Sequence, residues 1–128
     1  MIVADSTFIV EGLIKRKALF EENQDILTLD FAVYEVANSI WKHEFLLKEL
    51  KNGSAYLSKF IGLIESESIR VIGLSPSLLL STYVLASKHK RTIYDIAFVS
   101  LSLEMGLELK TFDSDQEHIY NQERVAKN

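Results

Sequence analysis

Cysteine is absent from this 128-residue chain, proline occurs once and glycine only five times. Without thiols there is no disulfide framework, no cysteine zinc cluster and no cysteine nucleophile. No Pro/Gly/Ser-rich linker, low-complexity tract or internal repeat divides the sequence, so one folding unit spanning residues 1–128 is expected. The longest apolar runs are too short to cross a bilayer. An acid at position 5 and the lack of a basic leading region do not read as a signal peptide. A soluble cytoplasmic protein with no membrane partner is the expectation. Positive charge is also scarce. Fourteen basic residues against eighteen acidic ones leave a formal charge of −4, which argues against a surface coated for indiscriminate nucleic-acid binding but allows a local basic rim.

What is present is an alternation. Short β-prone segments (IVA from Ile2, ILTL from Ile26, IRVIGL from Ile69 and LELKTF from Leu107) are separated by longer stretches with helical periodicity. That pattern predicts an α/β fold of three layers, with a central parallel β-sheet flanked by helices. From Phe31 to about Leu50, Val33, Ala37, Ile40 and Trp41 recur at helical spacing, with Glu35, Asn38, Lys42 and Glu49 on another face. A plainer helix is expected from Ser54 to Glu67. Ser75 followed by Pro76 marks the start of a third, because serine caps free amides and proline suits the first turn. The run IYDIAFVSLSLEMG is apolar nearly all round and reads as a buried helix stopped near Gly106.

Four acids are assigned to one edge of this sheet. Asp5 ends the first strand, Glu35 lies early in the helix after ILTL, Asp95 stands in the first turn of the buried helix, and Asp113 follows the last strand. In open α/β sheets the carboxyl ends of the strands face the ligand crevice. Carboxylates gathered there repel one another and take up protons unless a cation neutralises them. Their hard oxygens, with no cysteine or paired histidines nearby, favour Mg²⁺ or Mn²⁺ over zinc.

The apolar strand ending in Asp5-Ser6-Thr7, the EVAN segment with Glu35 and Asn38, YDIAFVSLSLEMG with Asp95, and TFD with Thr111 and Asp113 together resemble the PIN-domain family, particularly the small VapC-type toxins of prokaryotes. The resemblance covers nearly the whole chain and implies a metal-dependent endoribonuclease. Residue by residue, it implies Asp5 and Asp95 as direct metal ligands, with Glu35 and Asp113 completing the pocket. Ser6, Thr7, Asn38 and Thr111 are implied as supporting residues; Asp115, an additional acid two residues after Asp113, reads as a further ligand or a cap for a short final helix. It also implies hydrolysis without a protein nucleophile, 5′-phosphate and 3′-hydroxyl products, a homodimer through the helices holding Trp41 and Pro76, and a possible cognate antitoxin. An acidic site that meets a polyanion also needs a basic rim, for which Lys15, Arg16, Lys17, Lys42, Lys88, Lys90 and Arg91 are candidates. Single-stranded or loop RNA is the expected substrate, since base edges in duplex RNA are hard to reach. Three features depart from the family pattern: Ser102 stands where small apolar residues are usual, Asp30 where proline is frequent, and Lys110 lies inside the last strand.

Each residue also has a plainer reading. Asp5 would serve as a helix cap, Glu35 as part of a solvated stripe, Asp113 as a turn residue, and the KHKR run as a solvated loop. Tyr34 and Trp41 read as core or interface packing, and His43, His89 and His118 as isolated surface residues. Other functions compete as well. A phosphoacceptor receiver domain would show an acidic pair at the first strand, and a haloacid-dehalogenase-type phosphatase would show aspartate at position 7, where Thr7 stands. A non-catalytic interaction protein on the same fold is the remaining alternative.

Overall fold

In the computed structural model, which describes residues 1–127, four strands and seven helices alternate along the chain. Strand β1 (Ile2–Ala4) leads to α1 (Ser6–Ile14) and α2 (Ala18–Glu22). Then follow β2 (Ile26–Leu29), α3 (Asp30–Phe45), α4 (Gly53–Glu65) and β3 (Ile69–Ile72). The chain continues through α5 (Pro76–His89), α6 (Ile93–Met105), β4 (Glu108–Lys110) and α7 (Ser114–Lys127).

The sheet order is β3-β2-β1-β4, and every neighbouring pair is parallel. Ile2 lies opposite Ile26 on one side and Glu108 on the other. From β1 the chain steps outward to β2 and β3, then returns past β1 to add β4. The direction of winding therefore reverses between β1 and β4, which makes the gap beyond their carboxyl ends the topological switch point where such sheets bind ligands. A receiver domain of the flavodoxin-like type follows a different order, 2-1-3-4-5.

Strands buried on both faces need helices on both faces, and all four residues of β2 are buried. One core packs Val3, Leu27, Leu29 and Leu109 against Phe98 and Leu101 of α6, Leu78 of α5 and Ile119 of α7. The other packs Ala4 and Ile26 against Phe8 and Ile9 of α1, Val36 and Ile40 of α3, and Phe60 of α4. Side chains alternate between these layers along each strand. Buried Thr28 fits the apolar strand β2 because its hydroxyl donates to the Ala4 carbonyl at 2.7 Å.

Helix α6 is the central buried helix that the sequence predicts. Ile96 through Ser102 are all buried, Thr92 caps its start, and Gly106 at φ 66° ends it in the left-handed conformation. Ser102 is accommodated by donating to the Phe98 carbonyl at 2.8 Å. Lys110 sits on an edge strand and reaches Glu108 at 3.3 Å, while Leu109 between them points into the core. Asp30 begins α3 with its carboxylate accepting from the Phe31 N–H at 2.8 Å.

Several expectations are corrected. Helix α3 ends at Phe45, before Leu50, and its buried face is Ala32, Val36 and Ile40. Tyr34 and Trp41 lie outside that face at 77% and 49% exposure, so neither is core. The final helix is not short: α7 runs for 14 residues. His89 is not an isolated surface residue, since its ring lies 2.6 Å from Glu123 on α7 and both side chains are largely shielded.

Candidate active site

Asp5 stands at the switch point, and the fold gives it three hydrogen bonds. As the cap of α1, its Oδ1 accepts from the Phe8 N–H at 3.1 Å and from the Thr7 hydroxyl at 2.7 Å. Its Oδ2 accepts from the Thr111 hydroxyl, just past β4, at 2.6 Å. The helix-cap reading of Asp5 is therefore correct as geometry, and it coexists with a place at the centre of the acidic edge. The two hydroxyls are themselves fixed. Thr7 Oγ1 accepts from the Phe112 N–H and Thr111 Oγ1 from the Asp113 N–H, both at 2.9 Å. Asp5 is 1% exposed. Burial pushes its carboxyl above the usual range, the bonds from Thr111, Thr7 and Phe8 pull it back, and the nearby charge of Asp113 adds to the rise.

The other three acids arrive from separate elements at this edge. Glu35 lies in the second turn of α3 and Asp95 in the first turn of α6. Glu35 is exposed as a residue, yet partial desolvation raises its carboxyl. A hydrogen bond with Ser6 opposes this rise, and the charges of Asp5 and Asp95 reinforce it. Asp113 caps α7, its Oδ1 accepting from the N–H groups of Asp115 at 2.9 Å and Gln116 at 3.1 Å. The four acids thus share one electrostatic field: Asp5 feels Asp113, and Glu35 feels Asp5 and Asp95. Among the described residues no three acidic or imidazole side chains form a preassembled cation cage. In donor chemistry the set still fits a hard divalent cation, because mutually repelling carboxylate oxygens gain most from one.

Ser6 and Thr7 open α1 beside Asp5, and Asn38 is exposed one turn after Glu35 on α3. Asp115 does not cap α7; it pairs with Arg91 at 2.8 Å, tying the loop before α6 to the start of α7. Arg16, two residues past α1, bonds Glu11 at 3.1 Å and lies 5.0 Å from the centroid of the Phe112 ring. Lys15 lines a groove with Ser6, Thr7 and Phe112. Lys17 precedes α2, Lys42 is in the last turn of α3, and Lys90 ends α5 in the left-handed conformation. Lys88 is held by Glu123 of α7 at 2.8 Å.

No family model matches the sequence. Over 94 residues, however, it is 37% identical to Ribonuclease VapC3 of Pyrobaculum aerophilum, covering 70% of this chain and 67% of that protein. The chain belongs to the VapC ribonuclease family, built on the PIN domain. Solved structures agree on the VapC fold. PAE2754 from Pyrobaculum aerophilum superposes with a TM-score of 0.71 at 19% identity, over 92% of this chain and 83% of its own. VapC20 from Mycobacterium tuberculosis, a sarcin-ricin loop cleaving toxin, gives 0.71 at 15% identity over 92% and 94%. The sequence reading passed over Phe112 and Ser39 and took His43 for an isolated surface residue, whereas all three line a groove with Ser6 and Thr7. The even spacing of Glu35, Ser39 and His43 along one helix face was the available signal.

Proposed function

We propose that this VapC-family chain is a metal-dependent endoribonuclease that hydrolyses phosphodiester bonds of single-stranded or loop RNA, and that it is the toxin of a toxin–antitoxin pair. The observation that carries the reading is the buried Asp5 carboxylate, held across the switch point by hydroxyls that follow β1 and β4 and coupled to the other acids. Asp5, Asp95, Asp113 and Glu35 would hold Mg²⁺ or Mn²⁺. When bound, such a cation offsets charge on the phosphate and makes water a better nucleophile near neutral pH.

The chain's own residues do the rest. Thr7 and Thr111 fix both oxygens of Asp5, so that its geometry is set before substrate arrives. Glu35 is the exposed member of the four and would be the one to accept a proton from attacking water. Lys15 and Arg16 lie on the α1 side of the site, where they would attract the RNA backbone. No serine, threonine or histidine needs to attack phosphorus. Cleavage by water leaves 5′-phosphate and 3′-hydroxyl ends, and mass spectrometry of the fragments tests this. Cyclic 2′,3′-phosphate ends would show attack by the RNA's own 2′-hydroxyl and contradict the reading.

In the cytoplasm the protein would act as a homodimer restrained by a cognate antitoxin. Leu79, Leu80, Tyr83 and Val84 form an exposed apolar face on α5, suited to burial against a second copy. A monomer in light scattering at micromolar concentration contradicts the dimer. A neighbouring reading frame that encodes no small binding partner contradicts the antitoxin.

A further inference from the structure

Beside the acids, α1 and α3 present two parallel stripes of side chains. Ser6, Val10 and Ile14 recur every four residues on α1, and Glu35, Ser39 and His43 do the same on α3. Between the helices runs a groove of about 330 Å³ that opens at Ser6 and Thr7 and is bordered by Lys15 and His43. Its size lies at the lower end of small-ligand sites, which begin at roughly 300 Å³. It is continuous with the acidic site, because Thr7 bonds Asp5 and Ser6 bonds Glu35.

Phe112 forms one wall. It lies between Thr111 and Asp113, rests on Phe8 with ring centroids 5.9 Å apart and planes within 11°, and remains 47% exposed. The Arg16 guanidinium lies over its ring. Phe112 is thus anchored from below and through its own N–H, yet still presents aromatic surface. Arg16 is paired with Glu11, which also lines the groove, whereas Lys15 makes no ion pair among the described residues. The His43 Nδ1 lies 2.8 Å from the Ser39 carbonyl, so this nitrogen carries the hydrogen, while Nε2 faces the Glu49 carboxylate at 3.6 Å; His43 is thus a fixed wall of the groove and not the isolated surface residue expected from sequence.

We infer that this groove is the subsite for one unpaired nucleotide flanking the scissile phosphate, with its base packed against Phe112 and Arg16 and its phosphate drawn by Lys15. The inference rests on the nuclease reading above. An exposed, pre-anchored aromatic beside a cation is the chemistry that binds single-stranded nucleic acid, whereas a duplex presents no free base face to it.

The test is an abasic scan. In a single-stranded RNA that the wild type cleaves, one nucleotide at a time around the cut is replaced by an abasic residue, and KM is measured with wild type and Phe112→Leu. One flanking position should raise the wild-type KM about 5- to 160-fold, the range of base–aromatic stacking, and have less than a two-fold effect in Phe112→Leu. Lys15→Gln, at an exposed position, should lower the salt dependence of binding by about 0.7 in log–log slope. A flat scan in the wild type, or an equal profile in both proteins, overturns the subsite while the nuclease reading stands. No cleavage of any RNA by the wild type overturns the nuclease reading and the subsite with it.

Discussion

Thr111 donates a 2.6 Å hydrogen bond to Asp5 across 106 positions of sequence, joining the ends of β4 and β1 at the point where the sheet reverses its winding. Thr7 holds the other oxygen of the same carboxylate at 2.7 Å. A buried acid thus has its orientation fixed by two hydroxyls from opposite ends of the chain.

Removing one of these hydroxyls should uncouple that orientation. Thr111→Val keeps the shape of the side chain and deletes the donor, leaving one oxygen of a buried carboxylate unpaired at a cost of about 1–3 kcal/mol. The melting temperature should fall, and cleavage should drop roughly 10- to 100-fold, the range for residues that orient a metal ligand. Thermal melting and initial rates measure both. Wild-type activity in Thr111→Val would show that Asp5 needs no such support.

The acidic site should make the metal-free protein sensitive to pH in a definite direction. Asp5 and Glu35 have folded pKa values raised above the ordinary 3.8 and 4.5. The folded state therefore binds protons more tightly than the unfolded chain. Their contribution to stability is fullest below the ordinary values and falls as pH rises through the raised ones. Melting of wild type and Glu35→Gln in chelator across this window should show it as a difference between the two proteins that shifts against wild type as pH rises.

A divalent cation should reverse the loss. Mg²⁺ or Mn²⁺ at 100 times its dissociation constant should stabilise the fold by about 2.7 kcal/mol. The same addition should leave a folded Asp5→Asn or Asp95→Asn variant nearly unchanged. Calorimetry of wild type and variants measures this, and equal shifts in all three would place cation binding elsewhere.

Away from the site, Glu123 on α7 joins the end of α5 through Lys88 at 2.8 Å and His89 at 2.6 Å. The bond from Lys88, and then that from His89, holds its carboxyl below the ordinary 4.5. A depressed pKa contributes stability that is present above the unfolded value and lost as pH falls through the folded one. Glu123→Gln should therefore lower the melting temperature at neutral pH and match wild type in strong acid. An equal difference at both pH values would contradict the ion pairing.

Three of the four acid positions were legible because each lies near a boundary with a strong local signal. Asp5 follows an apolar strand, Asp95 follows the Thr92 cap of the most buried helix, and Asp113 lies between the end of β4 and the start of α7. The four β-prone segments likewise became the four strands, since each is a short apolar run of β-favouring residues. Long-range pairings were not legible. His89 looked isolated because its partner Glu123 lies 34 residues away, and Asp115 looked like a cap until Arg91 claimed it. Trp41 shares helical spacing with Ile40, but the sheet takes Ala32, Val36 and Ile40 and turns the indole outward. Periodicity identifies a helix more reliably than it chooses between adjacent stripes.

The central claim is that these acids form a metal-dependent ribonuclease site. Its most direct test is cleavage of a mixed set of short single-stranded RNAs by wild type and Asp95→Asn, each with Mg²⁺, with Mn²⁺ and with chelator. The expected result is cleavage by wild type that requires a divalent ion and is lost in a folded Asp95→Asn protein. Equal activity in the two proteins, or wild-type cleavage that persists in chelator, would contradict it.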